Sequence, residues 1–503
     1  MNTNNNKVGI YLNDNFECSR RQFILATAGT LVAASGVLKA APRTKEVDEM
    51  LSELQPKSKI RVGKVYVGRP NPGWPMSSVN LKTEVERYEV ELQKLAPSLA
   101  DVQFIEAGLV TNDKELANAK EKLKDATGIL VFHLTLGTGN LISSLFDLNI
   151  PVMIFTMPYC GHEWHIVPAW QKQGKLVDIV PSSKFADVVE AIRPFRAIQR
   201  LREARILHVN FNDADPKYCS AIKEKFGTEI VSIRLPDLEK AWKSADEEEV
   251  AADTHKWIKD AEKIVEPSKS DIEKGARMFI AMKNLLKEYR AQAITMNCLG
   301  MGLIDRGMGY PCLGFVRFNN ALLAGVCEAD LKSTMTQLIF TWLVGKTGFV
   351  TDPIFDFSNN TIIHAHCVAA TKMEGPNTKR SPYRIRTHLE DNRGVSLQVR
   401  MPVKKKVTMA RLIGTDILLY STGDAIDSPF VERGCRSKLV VKVDNIEKFL
   451  SNWSSGLHRV IFYGDHTRDV MRFCNFMKIK ILREGTDDLQ NVAGLEWNPW
   501  VHA

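Results

Sequence analysis

Apolar positions along the first half of the chain fall into short runs separated by amphipathic segments of helix length. The runs "KIRVGKVYVG", "VQFIEAG", "GILVFHL" and "PVMIFT" read as strands, and helices are predicted between them over 81–95 and 113–124. Strands that alternate with helices predict a parallel sheet with crossover connections. A second such series begins at "ARILHVN" and passes through a helix at Tyr218 to Phe226 and the strand "TEIVSIRL". It then reaches "AQAITMNCLGMG" after a long charged helical stretch from Asp237 to Arg290.

From about Tyr383 the texture changes to short runs such as "YRIRTH", "GVSLQVRMPV", "KVTMARLIG", "DILLYSTG" and "SKLVVKV", bounded by turn formers. That is the pattern of an antiparallel, barrel-like unit. Beyond Phe449, "HRVIFYG" reads as a strand and Arg468 to Met477 as a helix. The predicted class is α/β: two doubly wound, Rossmann-like parallel-sheet domains (60–203 and 204–380) and a mostly antiparallel β-barrel-like domain (381–448). A C-terminal α/β segment (449–503) folds back on them, and a polar linker (42–59) precedes them.

Residues 1–41 have a different character. "SRRQFILATAGTLVAASGVLKAAP" sets Arg20 and Arg21 before Phe23 and a modest apolar stretch, and resembles a twin-arginine export signal. The resemblance implies a protein exported folded, to be periplasmic or secreted. The apolar stretch is short for a membrane span.

Composition narrows the function classes. The 503 residues are 44% hydrophobic and 25% charged, enough to bury a large core without staples. The net charge of +8 is spread without a long basic block, which argues against nucleic acid as a partner. Nine cysteines are scattered with no C-x-x-C pair, so they read as small core residues rather than a zinc knuckle or disulfide framework.

The chemistry concentrates in "AGVCEADLKSTMTQLIFTWLVGKTGFVTDPIFDF". Leu331, Met335, Leu338, Ile339 and Leu343 recur at helical spacing, with Gly345 and Lys346 as a stop. Glu328 precedes this buried helix, and Asp352 follows the short strand "GFV". An acid before a helix complements its dipole, and an aspartate before proline starts a turn. Yet ligands in open α/β sheets also gather at the carboxyl ends of strands.

The segment "CEADL", the helix behind it, Asp352 placed 24 residues after Glu328, and "NWSSGLHRVIFYGD" together resemble the metal-binding segments of the L-fucose and L-arabinose isomerase family. The resemblance implies a divalent metal, Mn²⁺ foremost, with Mg²⁺ or another ion as alternatives, held by Glu328, Asp352 and His458. It implies Glu328 and Asp352 as the acid/base pair of an aldose–ketose isomerisation through an enediol. A small carbohydrate substrate and a homo-oligomer, trimeric or hexameric, are implied as well.

Other candidates are less specific. "IIHAHCVAA" places His364 and His366 on one side of a strand. His366 is a candidate sugar contact, and arabinose isomerases have a ligand histidine in a comparable region. His388 in "RTHLEDNRGVS" and Asn320 are further candidate substrate contacts. "PYCGHEWH" clusters Cys160, His162, Glu163 and His165, as a metal site or as a sugar-contacting or structural loop, and "GTGN" opens a helix that could meet an anion. Because an export leader departs from the cytoplasmic isomerases, two other functions stay open. One is an exported glycoside hydrolase using paired carboxylates; the other is a non-catalytic periplasmic sugar-binding protein.

Overall fold

The computed structural model describes residues 54–497, so the export signal expected over 1–41 and most of the linker lie outside the described residues. Strands β1 (Ile60–Val67), β2 (Val102–Val110), β3 (Gly128–His133), β4 (Val152–Thr156) and β5 (Val177–Pro181) form one parallel sheet in the order β2-β1-β3-β4-β5. Every residue of β3 is buried, as befits a central strand covered on both faces.

In the second unit, β6 (Arg205–Val209) and β7 (Glu229–Ile233) are followed by the two-residue β8 (Lys263–Ile264), β9 (Ala293–Met296) and β10 (Ala324–Cys327). A parallel sheet runs β10-β9-β6-β7. The predicted helical stretch from Asp237 to Arg290 is three helices, Leu235–Lys243, Glu247–Asp260 and Lys269–Tyr289. Local capping divides it. Asp246 accepts from the Glu249 amide, and Ser268 and Asp271 form a reciprocal capping box.

The third unit departs from the predicted boundaries. Its strands are β11 (Phe349–Asp356), β12 (Thr361–His366), β15 (Lys405–Ile413), β16 (Ile417–Asp427), β17 (Ser437–Lys442) and β18 (Arg459–Tyr463), with β13 (Tyr383–Arg386) and β14 (Ser396–Val399) between them. The ladder β15-β18-β11-β12-β17-β16 closes through β15–β16, an antiparallel six-stranded barrel. β19 (Lys480–Arg483) extends it in parallel beside β16.

The barrel therefore begins at Phe349 rather than 381 and ends at Tyr463 rather than 448. "GFV" is no parallel strand, because β11 pairs antiparallel with both β12 and β18. "YRIRTH" and "GVSLQVRMPV" leave the barrel, since β13 pairs with β8 and β14 in a separate small sheet. Ser437 ties that sheet back to the barrel, its hydroxyl accepting from the Val399 amide and donating to the Leu397 carbonyl.

The helix Leu331–Val344 forms as its spacing predicts and ends on Gly345, whose φ of +68° suits glycine. It is buried nearly all round, between helix Val188–Glu203 of the first unit and the barrel strands β15 and β18. Of its buried hydroxyls, those of Ser333, Thr334 and Thr336 are hydrogen-bonded, whereas that of Thr341 has no partner among the described residues. Thr336 donates to the Lys332 carbonyl and accepts from the Leu412 amide, fixing the helix against β15.

Candidate metal centre and active site

Four side chains from three parts of the chain converge at the mouth of this helix. β10 ends at Cys327, and the chain then turns through Glu328 (φ +64°) and Ala329 (φ +54°) before Asp330 caps the helix. Two consecutive non-glycine residues in the left-handed region are strained backbone, held only where the surroundings demand it. The turn aims the Glu328 carboxylate away from β10 toward the barrel.

Asp352 arrives on β11, His366 at the end of β12 and His458 just ahead of β18, three strands that neighbour one another in the barrel. Nε2 of His458 lies 3.4 Å from Oε2 of Glu328 and 3.3 Å from Oδ1 of Asp352. Nε2 of His366 lies 3.4 Å from Oε1 of Glu328 and 3.9 Å from Oδ2 of Asp352. Each imidazole thus faces one oxygen of each carboxylate. Glu328, His366 and His458 present ligand atoms all within 4.8 Å of one another.

The arrangement is asymmetric in exposure. His366 and His458 are buried, whereas the Glu328 and Asp352 side chains are 42% and 30% exposed. The site is therefore backed by imidazole and open to solvent on its carboxylate side.

Asp330 sets the His458 ring. Its Oδ2 lies 2.9 Å from Nδ1 of His458, 2.8 Å from Nη1 of Arg411 and 2.7 Å from the Ser333 hydroxyl. Burial alone would discourage charge on His458, but hydrogen bonds to Asp330 and Asp352 outweigh it and raise the imidazole to about 9. Burial opposes ionisation of Asp330 too, yet Arg411 and His458 hold it well below the usual carboxylate range. The same balance, with His458 and then His366 as the cations, lowers Asp352.

No protein-family profile matches the sequence. Over 328 residues, which is 63% of this chain and 68% of the relative, it is 24% identical to the sulfoquinovose isomerase of Clostridium sp. (strain MSTE9). That relative is, by its name, a sugar isomerase.

The remaining predicted residues separate. Asn320 is buried with its amide spent on the chain itself, donating to the Thr371 hydroxyl and accepting from the Lys372 amide. Through these bonds it braces the loop at Thr371 and Lys372. His388 is buried 4.9 Å, ring to ring, from Tyr310. Burial disfavours its charge, but the neighbouring Cys367 and then Glu390 raise it to about 9. Burial likewise raises the Glu390 carboxyl, and the negative charges of Cys367 and Glu328 add to the effect.

In the first unit, Glu163 is tied to Nε2 of His133 at 2.9 Å and to the Thr138 amide at 3.0 Å. Cys160 contacts the Tyr88 hydroxyl, and the His162 ring packs on Trp74. Cys160, His162, Glu163 and His165 do not gather about one point as a metal cluster. The Thr138 amide of "GTGN" is likewise taken by Glu163, the protein's own carboxylate.

Spacing along the chain hid a second convergence. Cys298, Cys312, Cys327 and Cys367, far apart in sequence, are buried together behind His366. Sγ of Cys327 and Sγ of Cys367 are 3.7 Å apart, and Sγ of Cys367 is 3.4 Å from Nδ1 of His366. Hydrogen bonds from the Cys312 thiol and then the Cys327 thiol hold Cys367 well below the usual thiol range.

Proposed function

We propose that this protein is a divalent-metal-dependent sugar isomerase that interconverts an aldose and a ketose by proton transfer through an enediol. The observation that carries this reading is the facing of both carboxylates, Glu328 and Asp352, by both imidazoles, His366 and His458. The similarity to a relative named sulfoquinovose isomerase supports the reaction class.

The residues fit a resident cation. Nε2 of His366 is buried with no hydrogen-bond partner, and two oxygen donors with two imidazoles suit Mn²⁺ better than a thiolate-seeking ion. Such an ion, bound by Glu328, Asp352, His366 and His458, supplies charge that polarises a sugar carbonyl and steadies its developing oxyanion.

The protein side of the chemistry follows from exposure and orientation. The two carboxylates face solvent and reach a sugar laid over the site, one withdrawing the proton from the carbon beside the carbonyl and the other attending the neighbouring oxygen. Asp330 keeps Nδ1 of His458 occupied, so that Nε2 points at them.

Export by the twin-arginine route and a homo-oligomeric state belong to the same proposal. Exposed Trp74, Tyr159 and Trp164 on the loops beyond the first sheet supply apolar surface for a second copy. Light scattering on the purified protein tests the assembly, and a monomer removes it.

The function is tested by incubating the metal-loaded protein with a panel of aldoses, sulfoquinovose included, in deuterated water. NMR should show aldose–ketose interconversion with solvent deuterium entering beside the carbonyl, abolished by Glu328→Gln and by Asp352→Asn. Release of reducing sugar from glycosides without that exchange would transfer the site to hydrolysis. Sugar binding without turnover by the loaded protein would leave a binding protein.

A further inference from the structure

We propose that the buried cysteines behind the active site form a second, thiophilic metal site, in which Cys312, Cys367 and His388 hold one zinc-like ion with Cys327 as the fourth donor. The sulfurs of Cys312 and Cys367 and a ring nitrogen of His388 lie within 4.8 Å of one another, as do the sulfurs of Cys327 and Cys367 with a nitrogen of His366. Cys367 is common to both groups, which makes it the centre of the cluster.

The spacing suits one tetrahedral ion. Zinc–sulfur bonds of about 2.3 Å at tetrahedral angles set two thiolates roughly 3.8 Å apart. The Cys327–Cys367 separation is 3.7 Å. A disulfide requires about 2.05 Å.

An independent observation also points to a ligand. His388 is only 2% exposed, and its Nδ1 is buried without a hydrogen-bond partner. Leaving such a nitrogen unmatched is unfavourable, and coordination or a bound water would relieve it.

Charge balance favours occupation in so dry a place. A divalent ion bound by the Cys312 and Cys367 thiolates, with neutral His388, has no net charge, and two protons leave to solvent, one from the Cys312 thiol and one from the Cys367–His388 pair. Cys327 then closes the shell as thiol or thiolate. The donor set is soft, whereas the Glu328–Asp352 set is hard, so the two sites select different ions.

The consequence is mechanical. Cys327 immediately precedes Glu328, and Cys367 immediately follows His366. An ion between them ties the end of β10 to the end of β12 and fixes two residues of the active site from behind.

The test uses the full-length protein. Metal analysis after purification should find one zinc that dialysis against a weak chelator does not remove. Exchange for Co²⁺ should give the intense near-ultraviolet thiolate-to-cobalt absorption. Cys312→Ala should lose both, whereas Glu328→Gln should keep both while losing Mn²⁺, which separates this site from the one used in catalysis.

If Cys312→Ala does not fold, cobalt exchange into the unaltered protein decides alone. Three results overturn the proposal: no firmly held zinc together with no thiolate absorption on Co²⁺ exchange; a Cys327–Cys367 disulfide found by mass spectrometry; or a zinc that Cys312→Ala retains and Glu328→Gln loses.

Discussion

The Nδ1 atom of His458 sits 2.9 Å from the Oδ2 atom of Asp330, and that oxygen is also 2.8 Å from Arg411. The carboxylate is thus fixed from two sides, and the imidazole has one orientation left, with Nε2 toward Glu328 and Asp352. Partners of this kind, one bond removed from a metal, commonly change affinity by about 10–100-fold when lost. Asp330→Asn should therefore weaken Mn²⁺ binding by about that factor while the helix stays capped, since asparagine also caps well. Titration calorimetry measures the affinity, and an unchanged value would remove Asp330 as a positioning residue.

The same contact gives metal binding a pH dependence. Without metal, His458 is raised to about 9 from the ordinary 6.5, so near pH 7 it carries a proton that must leave before Nε2 can bind. His366 is likewise raised well above its ordinary value, so both rings give up a proton on binding, and near pH 7 affinity should rise by more than about tenfold per pH unit and flatten as each ring deprotonates. Calorimetry in buffers of different ionisation enthalpy should show more protons released on binding at pH 7 than at pH 9. A flat profile between these values would contradict the assignment.

How much of this was legible before the structure depended on range. The helix Leu331–Val344 was readable because apolar spacing and a terminal glycine are local signals, and the alternating strands and helices announced both parallel sheets. Glu328, Asp352 and His458 were named through a family resemblance, and they do converge. The barrel boundary was misplaced because β11 and β12 are apolar runs in an α/β neighbourhood, and only their partners β18 and β17 reveal their sheet. In the sequence Asp330 is only an acid ahead of a helix. Its second role needs Arg411 and His458, which lie 81 and 128 residues away. The cysteines were hidden for the same reason, because 40 residues separate Cys327 from Cys367 and no short motif joins them.

Backbone strain beside the site should be measurable. Ala329 holds φ at +54°, a conformation that costs a non-glycine residue roughly 1–2 kcal/mol. Ala329→Gly relieves that cost but adds about 0.4–1 kcal/mol of freedom to the unfolded chain. The net should be a stabilisation of a few tenths to about 1 kcal/mol, read as a higher midpoint in urea denaturation. A loss of stability would mean that the methyl group makes contacts worth more than the strain.

The barrel carries an acid-sensitive element of its own in His364. It is fully buried, with Nδ1 2.8 Å from the Thr351 hydroxyl and Nε2 without a hydrogen-bond partner. Burial, and then the positive charge of Arg459, lower it from 6.5 to about 3. Between those values the unfolded chain binds a proton that the folded chain refuses. Its contribution is therefore complete above pH 6.5 and is lost progressively as pH falls toward 3, at up to about 1.4 kcal/mol per pH unit. His466, lowered by burial to about 4, acts in the same direction over a narrower range. Glu163, lowered to about 2 where burial is outweighed by its bond to His133, loses its contribution only below its ordinary 4.5. The histidine effect is thus separable between pH 6.5 and 4.5. His364→Asn keeps a polar atom near Thr351 and removes the titration, so it should be less stable than the parent at pH 7.5 yet lose less stability on passing to pH 4.5. Urea denaturation at the two pH values measures both slopes, and equal slopes would show that His364 takes up no proton on unfolding.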